Sequence, residues 1–383
     1  MKTLVHEKKK SQIRLALLEE GKATELLVAD LNKAAEGDVY VGKLTRKLAL
    51  ANGKTGYFVE LGAGREGFVN AEENGLEELT LSEGESLVVQ VSQEQRAEKG
   101  PRLVRGIQLA GNLVVYCPYK MSVEVSAKIE DKLKAEEYKE KVWENTTGQE
   151  GWIIRTAAVD VPVAEVVVEM DRLRGVFEQI SADFKVDKSP RLLWKRGDLL
   201  NEVLLREKNI GQIAVNDHNL EKSLLQRGME VEYQSEPFAA YGLEEMIVEA
   251  LDPQVRLKSG GRLFIEETKA CVAIDVDSGD DKANGSLSRL NMEAAEEIVR
   301  QIRLRNLSGK IIIDFAGHSE YKYLKNVIEF LERSLRNDYV KTTVAGLSRG
   351  GNVEIIRVRK RPTLQDCLTV PCESCRGTGR VLK

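Results

Sequence analysis

The sequence predicts a multidomain α/β protein of the α+β kind, on three observations. Residues 38–111 are dense in short apolar strands punctuated by glycine. From residue 198 onward, strand-like and helix-like segments alternate. Two apolar β-branched runs, 270–279 (ACVAIDVDSG) and 310–317 (KIIIDFAG), each carry a carboxylate out at the strand end. At 383 residues the chain is long enough for two or more domains, each with its own core.

Taken in order, residues 1–36 (IRLALLEE, then ATELLVAD) alternate in the manner of a hairpin that must pair with something later in the chain. Strands of about five residues between glycine turns in 37–111 favour a small closed barrel of the OB type, whose aromatics can stack on single-stranded bases. Phe58 and Phe68 are the candidates, with a place in the barrel core as the alternative reading. Over 112–197, VEVSAKIED and GWIIRTAAVDV read as strands, EDKLKAEEYKEKVWENT as a charged helix and VAEVVVEMDRLRGVFEQISADF as an amphipathic one. GQIAVND is strand-like and LEKSLLQRG helical. LSRLNMEAAEEIVRQIRLRNLSG reads as a strong amphipathic helix ended by Gly309. IIIDF, the helix YLKNVIEFLERSLRND, and the strands TTVAGLS and NVEIIRVR complete the pattern.

The formal charge is only -4, so no global basic field points to a polyanionic partner. Locally, 341–383 carries nine Lys or Arg against three acids, and 56–90 carries eight Glu against one Arg. The run 357–361 (RVRKR) reads equally as a phosphate-binding tract or as a solvated face. No apolar stretch reaches the roughly 18 residues of a membrane span. The N-terminus lacks the apolar core of a signal peptide. Five cysteines, including one CxxC pair, point to a reducing, cytoplasmic setting.

Asp275 and Asp277 share a strand face, because side chains alternate. With Asp314 they can converge at one sheet edge, which is how proteins hold a hard divalent cation such as magnesium. That arrangement suggests metal-assisted phosphodiester chemistry, while turn or helix capping is the commoner use of isolated aspartates. CESC at 372–375 supplies two thiolates, and a closed zinc site needs four ligands. Either two chains contribute Cys372 and Cys375 each, or Cys367 and His318 complete an intrachain site. Cys117 and Cys271 read as apolar packing residues.

Assembled, these residues resemble the ribonuclease E/G family over nearly the whole chain. The strings that carry the resemblance are RLVRGIQLAG preceded by KGP, GWIIRTAA, YGLEEMIVEALDPQVRLKSGGRLFIEETKACVAIDVDSG, NMEAAEEIVRQIRLRNLSGKIIIDF, LSRGG and PCESCRGTGRV. The resemblance implies a magnesium-dependent endoribonuclease acting on single-stranded RNA in decay or ribosomal RNA maturation. It implies a ribonuclease-H-like domain from 1–36 and 198–250, interrupted by an OB-type barrel (37–111) and a 5′-sensor (112–197). A deoxyribonuclease-like catalytic domain (251–365) and a zinc-link (366–383) follow.

By the same resemblance, Asp275 and Asp314 match metal-ligating aspartates, and Asp277 takes the place of an Asn that orients the scissile phosphate. Phe58, Phe68 and Lys99 match RNA-holding barrel residues. Arg155 and Thr156 match a pair gripping a 5′-monophosphate, with an amide near Val125. A guanidinium suits that role because it binds phosphate oxygens bidentately. Cys372 and Cys375 match a pair that shares one zinc between two protomers, so a homodimer is expected.

The sequence departs from the family pattern at four places. Asp277 adds a carboxylate, DFAGH stands where DFIDM is usual, and Gly350 stands in LSRGG where an aromatic is usual. The sequence also ends just after the zinc-link motif, so the small domain that pairs such dimers into tetramers is expected to be lacking. A catalytically weak RNA-binding regulator or assembly factor is therefore the alternative, and a DNA nuclease using the same carboxylates a third.

Overall fold

A computed structural model describes residues 1–74, 81–95, 99–129, 131–197, 199–279, 287–317, 321–336, 338–375 and 379. The chain divides into two compact units, Met1–Leu31 with Leu199–Lys383, and Asn32–Asp198. Among the described residues no helix is long and apolar enough to cross a membrane.

The N-terminal segment is a three-stranded antiparallel meander, one strand more than the expected hairpin: β1 (Lys2–Lys9), β2 (Gln12–Glu19) and β3 (Lys22–Asp30). Its second reversal uses Glu20 and Gly21 at φ 51° and 78°, the positive-φ pair that a type I′ turn requires.

In the unit 32–198, β4 (Val39–Ala49), β5 (Thr55–Glu60), β6 (Gly67–Asn70), β7 (Ser86–Gln93) and β8 (Arg102–Val104) close into a five-stranded barrel, because β4 pairs with both β5 and β7. Leu44, Tyr57, Val59, Val69, Val89, Val91 and Leu103 fill its interior. The chain continues through β9 (Leu109–Ala110), β10 (Val114–Cys117), β11 (Val123–Val125), α1 (Lys132–Glu144), β12 (Gly151–Ile154) and α2 (Val163–Val186), and β13 (Arg191–Trp194) returns to β4. The second sheet has the order β11-β12-β10-β9. Val166, Met170 and Leu173 of α2 pack with Trp152, Ile154 and Tyr116 of that sheet, at the spacing of one helical face. The segment GWIIRTAAVDV is strand only as far as Ile154, after which Thr156–Asp160 turns as a short 3₁₀-helix.

In the other unit, α3 (Leu199–Arg206), β14 (Ile210–Val215), α4 (His218–Gln226), β15 (Val231–Tyr233), α5 (Pro237–Ala240) and α6 (Leu243–Leu251) complete the sheet begun by β1. β14 lies parallel to β1, and the order is β15-β14-β1-β2-β3. Both faces are covered: Val5 and Ala16 pack with Phe238 and Leu243, while Leu4, Leu15 and Leu17 pack with Leu200 and Val203.

The same unit then builds β16 (Gln254–Arg256), β17 (Arg262–Glu267), β18 (Val272–Asp277), α7 (Leu287–Leu304), β19 (Gly309–Asp314), α8 (Tyr321–Leu335), β20 (Thr342–Leu347), β21 (Val353–Arg357) and α9 (Leu364–Leu368). Its sheet order is β16-β17-β18-β19-β21-β20, and β18 and β19 run parallel across the α7 crossover. Leu263, Ile274, Val276, Ile311, Ile313 and Val353 bury one face against Ala294, Ile298 and Ile302 of α7 and Leu324, Ile328 and Leu331 of α8. In β18 the pattern alternates strictly, with Val272, Ile274 and Val276 buried and Ala273 and Asp275 exposed.

The structure departs from the sequence reading at Gly309 and at the tract 357–361. Gly309 opens β19 instead of stopping the preceding helix, which ends at Leu304, and Asn306 takes the positive φ of 51°. The tract RVRKR is not a continuous solvated or phosphate-binding face. Arg357 is 1% exposed and donates to Asp338 at 2.7 Å and to the Asn306 side chain at 2.8 Å, while Arg361 pairs with Glu202 at 2.5 Å.

Candidate functional site

Residue register brings two of the three acidic residues side by side. Asp275 of β18 lies directly opposite Asp314 of β19, both on the sheet face that α7 and α8 leave open. Asp277 lies two residues further along β18 on the same face, where its carboxylate accepts the Gly279 N–H at 3.0 Å. Although Asp275 is exposed, partial desolvation pushes its carboxyl above the usual value, and the charges of Asp314 and Asp277 push it the same way.

Like charges directly opposite on neighbouring strands destabilise a sheet, so the pair asks for a counter-cation. Among the described residues, no group of three or more His, Cys, Asp or Glu side chains could hold a metal by itself. Two carboxylates with water and phosphate oxygens suffice for magnesium, which demands near-octahedral oxygen coordination and dehydrates reluctantly. The donor set of Asp275 and Asp314 therefore fits such an ion.

In the barrel, Phe58 and Phe68 are cross-strand partners whose ring centroids lie 5.6 Å apart, edge to face at 67°. Both are half-buried on the outside, since their neighbours Tyr57, Val59 and Val69 take the interior. Arg46, unmarked by any sequence signal, sets its guanidinium 4.3 Å from the Phe58 centroid. Lys99 is exposed. It precedes Gly100, where a Cβ would meet the Glu66 carbonyl oxygen at 1.8 Å, so only glycine lets this segment approach β6.

In the adjoining sheet, Val125 pairs with Ile154, and Arg155 and Thr156 follow at the end of β12. Arg155 donates from its backbone to the Leu113 carbonyl at 2.8 Å and from its guanidinium to the Gly111 carbonyl. That turn is itself held by Glu169 of α2, which accepts the N–H groups of Asn112, Leu113 and Val114 at 2.8, 2.6 and 3.0 Å. A Cβ at Gly111 would come within 2.5 Å of Glu169 Oε2.

Cys372 is exposed and Cys375 half-buried, both as free thiols. Backbone N–H groups of Cys375 and Ser374 lower the Cys372 thiol below its ordinary value, which favours the thiolate that metals bind. Cys367 lies apart on α9, its Sγ 4.0 Å from the Val28 carbonyl oxygen. His318 and Arg380 lie outside the described residues, so neither arm of the zinc alternative is decided by geometry. Cys117 is buried and Cys271 half-buried.

Sequence reasoning passed over two positioning residues. Glu169 stands in the buried stripe Val166, Met170, Leu173, and a lone acid on an apolar helix face was its signal. Asn291 is 1% exposed in the buried stripe of α7, where it donates to the Ala316 carbonyl and accepts the Ala316 N–H, both at 3.1 Å. It thereby fixes the segment leaving Asp314.

Residues 108–360 match the sequence profile of the Ribonuclease E/G family. The chain is 30% identical to Ribonuclease G of Escherichia coli (strain K12), covering 97% of this chain and 82% of that protein. It is 29% identical to Ribonuclease G of Haemophilus influenzae, with 97% and 82% covered. To Ribonuclease E of Synechocystis sp. it is 29% identical, with 93% of this chain aligned to 57% of that longer protein.

Proposed function

This chain belongs to the ribonuclease E/G family, and we propose that it is a magnesium-dependent endoribonuclease that cuts single-stranded RNA in RNA processing or decay. The observation that carries the reading is the direct opposition of Asp275 and Asp314 on parallel strands of an open sheet face. Asp275 and Asp314 would hold the ion, which when bound acidifies a water and offsets phosphate charge, giving 5′-phosphate and 3′-hydroxyl ends. Asn291 keeps the chain beyond Asp314 in place, so the two carboxylates are presented at a fixed separation. Asp277 serves as a positioning residue for the substrate.

Phe58 and Phe68 offer a stacking surface, and Lys99 a cation for the backbone, a combination that suits single-stranded RNA. Arg155 and Thr156, with an amide near Val125, would grip a 5′-monophosphate, so RNA carrying that end is the preferred substrate. Maturation of ribosomal RNA is the class of processing this reading includes. Cys372 and Cys375 would share a structural zinc with the same pair of a second protomer, giving a homodimer.

A second reading, an RNA-binding regulator with weak catalysis, draws on Asp277, Gly317 and Gly350 and on the two-carboxylate donor set. The experiment that separates them is cleavage of a 5′-monophosphorylated single-stranded oligoribonucleotide with magnesium. Turnover by the wild type that Asp314→Ala abolishes supports the enzyme. Binding that is unchanged in EDTA, with no turnover, supports the regulator. A matched DNA strand in the same assay tests the DNA nuclease alternative.

A further inference from the structure

The hairpin between β16 and β17 places Arg256 directly opposite Arg262, and Arg262 in turn directly opposite Asp277 on β18. The three side chains form one row across three strands. Two positions along β17 and β18, on the same face, lies the row of Phe264, Asp275 and Asp314. At about 3.3 Å per residue the rows stand roughly 7 Å apart. That distance is comparable with the spacing of successive phosphates along an extended single strand.

Two guanidiniums facing each other across a hairpin repel, and a single carboxylate leaves the row with one net positive charge. Arg262 Nε lies 3.9 Å from Asp277 Oδ2. Arg256 is exposed and has no ion-pair or hydrogen-bond partner among the described residues.

Beside the row is an open cavity of about 550 Å³ lined by Arg256, Ser259, Gly260, Gly261 and Arg262 among others. The Ser259 hydroxyl is buried there without a hydrogen-bond partner. The loop that carries it is rigidly built. Glu293 of α7 accepts the N–H groups of Lys258 and Ser259 at 2.6 and 3.2 Å, and the Leu257 N–H donates to the Gly261 carbonyl at 2.9 Å. Gly260 takes a φ of 95°.

We propose that this groove is an RNA phosphate subsite, in which Arg256 and Arg262 hold the phosphate next to the one attacked at Asp275 and Asp314. Asp277 anchors Arg262 and so acts through it. Guanidiniums suit this task because their forked N–H groups match phosphate oxygens. The proposal rests on the ribonuclease reading for its substrate, and its test is arranged so that the two can fail separately.

Binding of a 3′-fluorescein-labelled single-stranded oligoribonucleotide to the full chain is followed by anisotropy in EDTA over a range of salt concentrations. Replacing both arginines by Gln is expected to reduce the slope of log Kd against log salt by about 0.7, the amount for one phosphate charge that a single strand no longer has neutralised. Replacing both by Lys keeps the charges and is expected to keep the slope, which separates the missing charges from misfolding. With magnesium, the Gln pair is expected to raise KM about tenfold and to leave kcat within about threefold, as weaker uniform binding of substrate requires.

A slope unchanged by the Gln pair overturns the subsite even if wild type cuts RNA. A reduced slope with no cleavage by wild type leaves the subsite standing and overturns the nuclease. A loss confined to kcat, with slope and KM unchanged, also overturns the subsite.

Discussion

Two aspartates side by side on a sheet face repel each other until a cation joins them, so the residues proposed for catalysis should cost stability in the metal-free protein. Asp314→Asn is expected to raise the unfolding free energy in EDTA by roughly 0.2–1 kcal/mol, the range for a cross-strand charge pair, as read from urea titration. The same variant should lose cleavage by more than the roughly 10- to 100-fold that follows from losing an outer partner of a metal ligand. The reverse logic governs Arg357 and Asp338, whose side chains are both fully buried. Burial opposes ionisation of Asp338, yet the Arg357 guanidinium holds its carboxyl below the usual carboxylate range. That stabilisation is fully present above the unfolded-state value of about 4 and is lost as pH falls through the lower folded-state value. Arg357→Met, which leaves the acid buried and unpaired, should cost about 3–5 kcal/mol at pH 7 in chemical denaturation and flatten the acid limb of the stability profile. The acidic strand ends were legible in the sequence because an apolar run ending in Asp is a local pattern. The partners of Arg357 and Arg262 were not legible, because Asp338 reaches Arg357 from the loop between α8 and β20, and Asp277 reaches Arg262 only through strand register.

At the scale of elements, the helix α2 holds the turn at Gly111–Val114 through a single carboxylate, and that turn receives Arg155. Removing the carboxylate strands three backbone donors, at a cost of order 1–3 kcal/mol each when buried. Glu169→Ala and Gly111→Ala are both expected to displace Arg155. The rate ratio between 5′-monophosphorylated and 5′-hydroxylated RNA should fall toward one, while cleavage of the hydroxylated strand changes little. Equal loss on both substrates would place the effect in folding and not in end recognition. Helices such as α7 and α8 could be read from the spacing of their apolar positions. The end of α7 could not, since the glycine that looked like its stop opens the next strand and an asparagine supplies the left-handed residue. Which way Phe58 and Phe68 face was equally open, because Tyr57, Val59 and Val69 are as apolar as they are and only the closed barrel decides between inside and outside.

At the scale of the whole molecule, the CESC pair carries the expectation of a dimer. Mass measurement should give twice the chain mass with zinc and the single mass after chelation, and a Cys372→Ser/Cys375→Ser variant should remain single in both. A zinc-bound species of single mass would overturn the shared site and favour a site completed within one chain. The mixed α and β character was legible from local periodicity, whereas barrel closure and the parallel pairing of β1 with β14 depend on residues far apart in sequence. That pairing has a consequence for synthesis. β1 leaves the ribosome first, but its parallel neighbour ends at Val215, after the whole unit 32–198 has been made. At about 5–20 residues per second the wait is roughly 10–40 s. During this interval the opening meander must stay unaggregated with one edge uncovered, and the inserted unit, whose sheets are complete in themselves, has time to fold before it. A nascent chain halted once the whole second unit has cleared the ribosome should therefore show a protease-resistant core from that unit and a sensitive N-terminus.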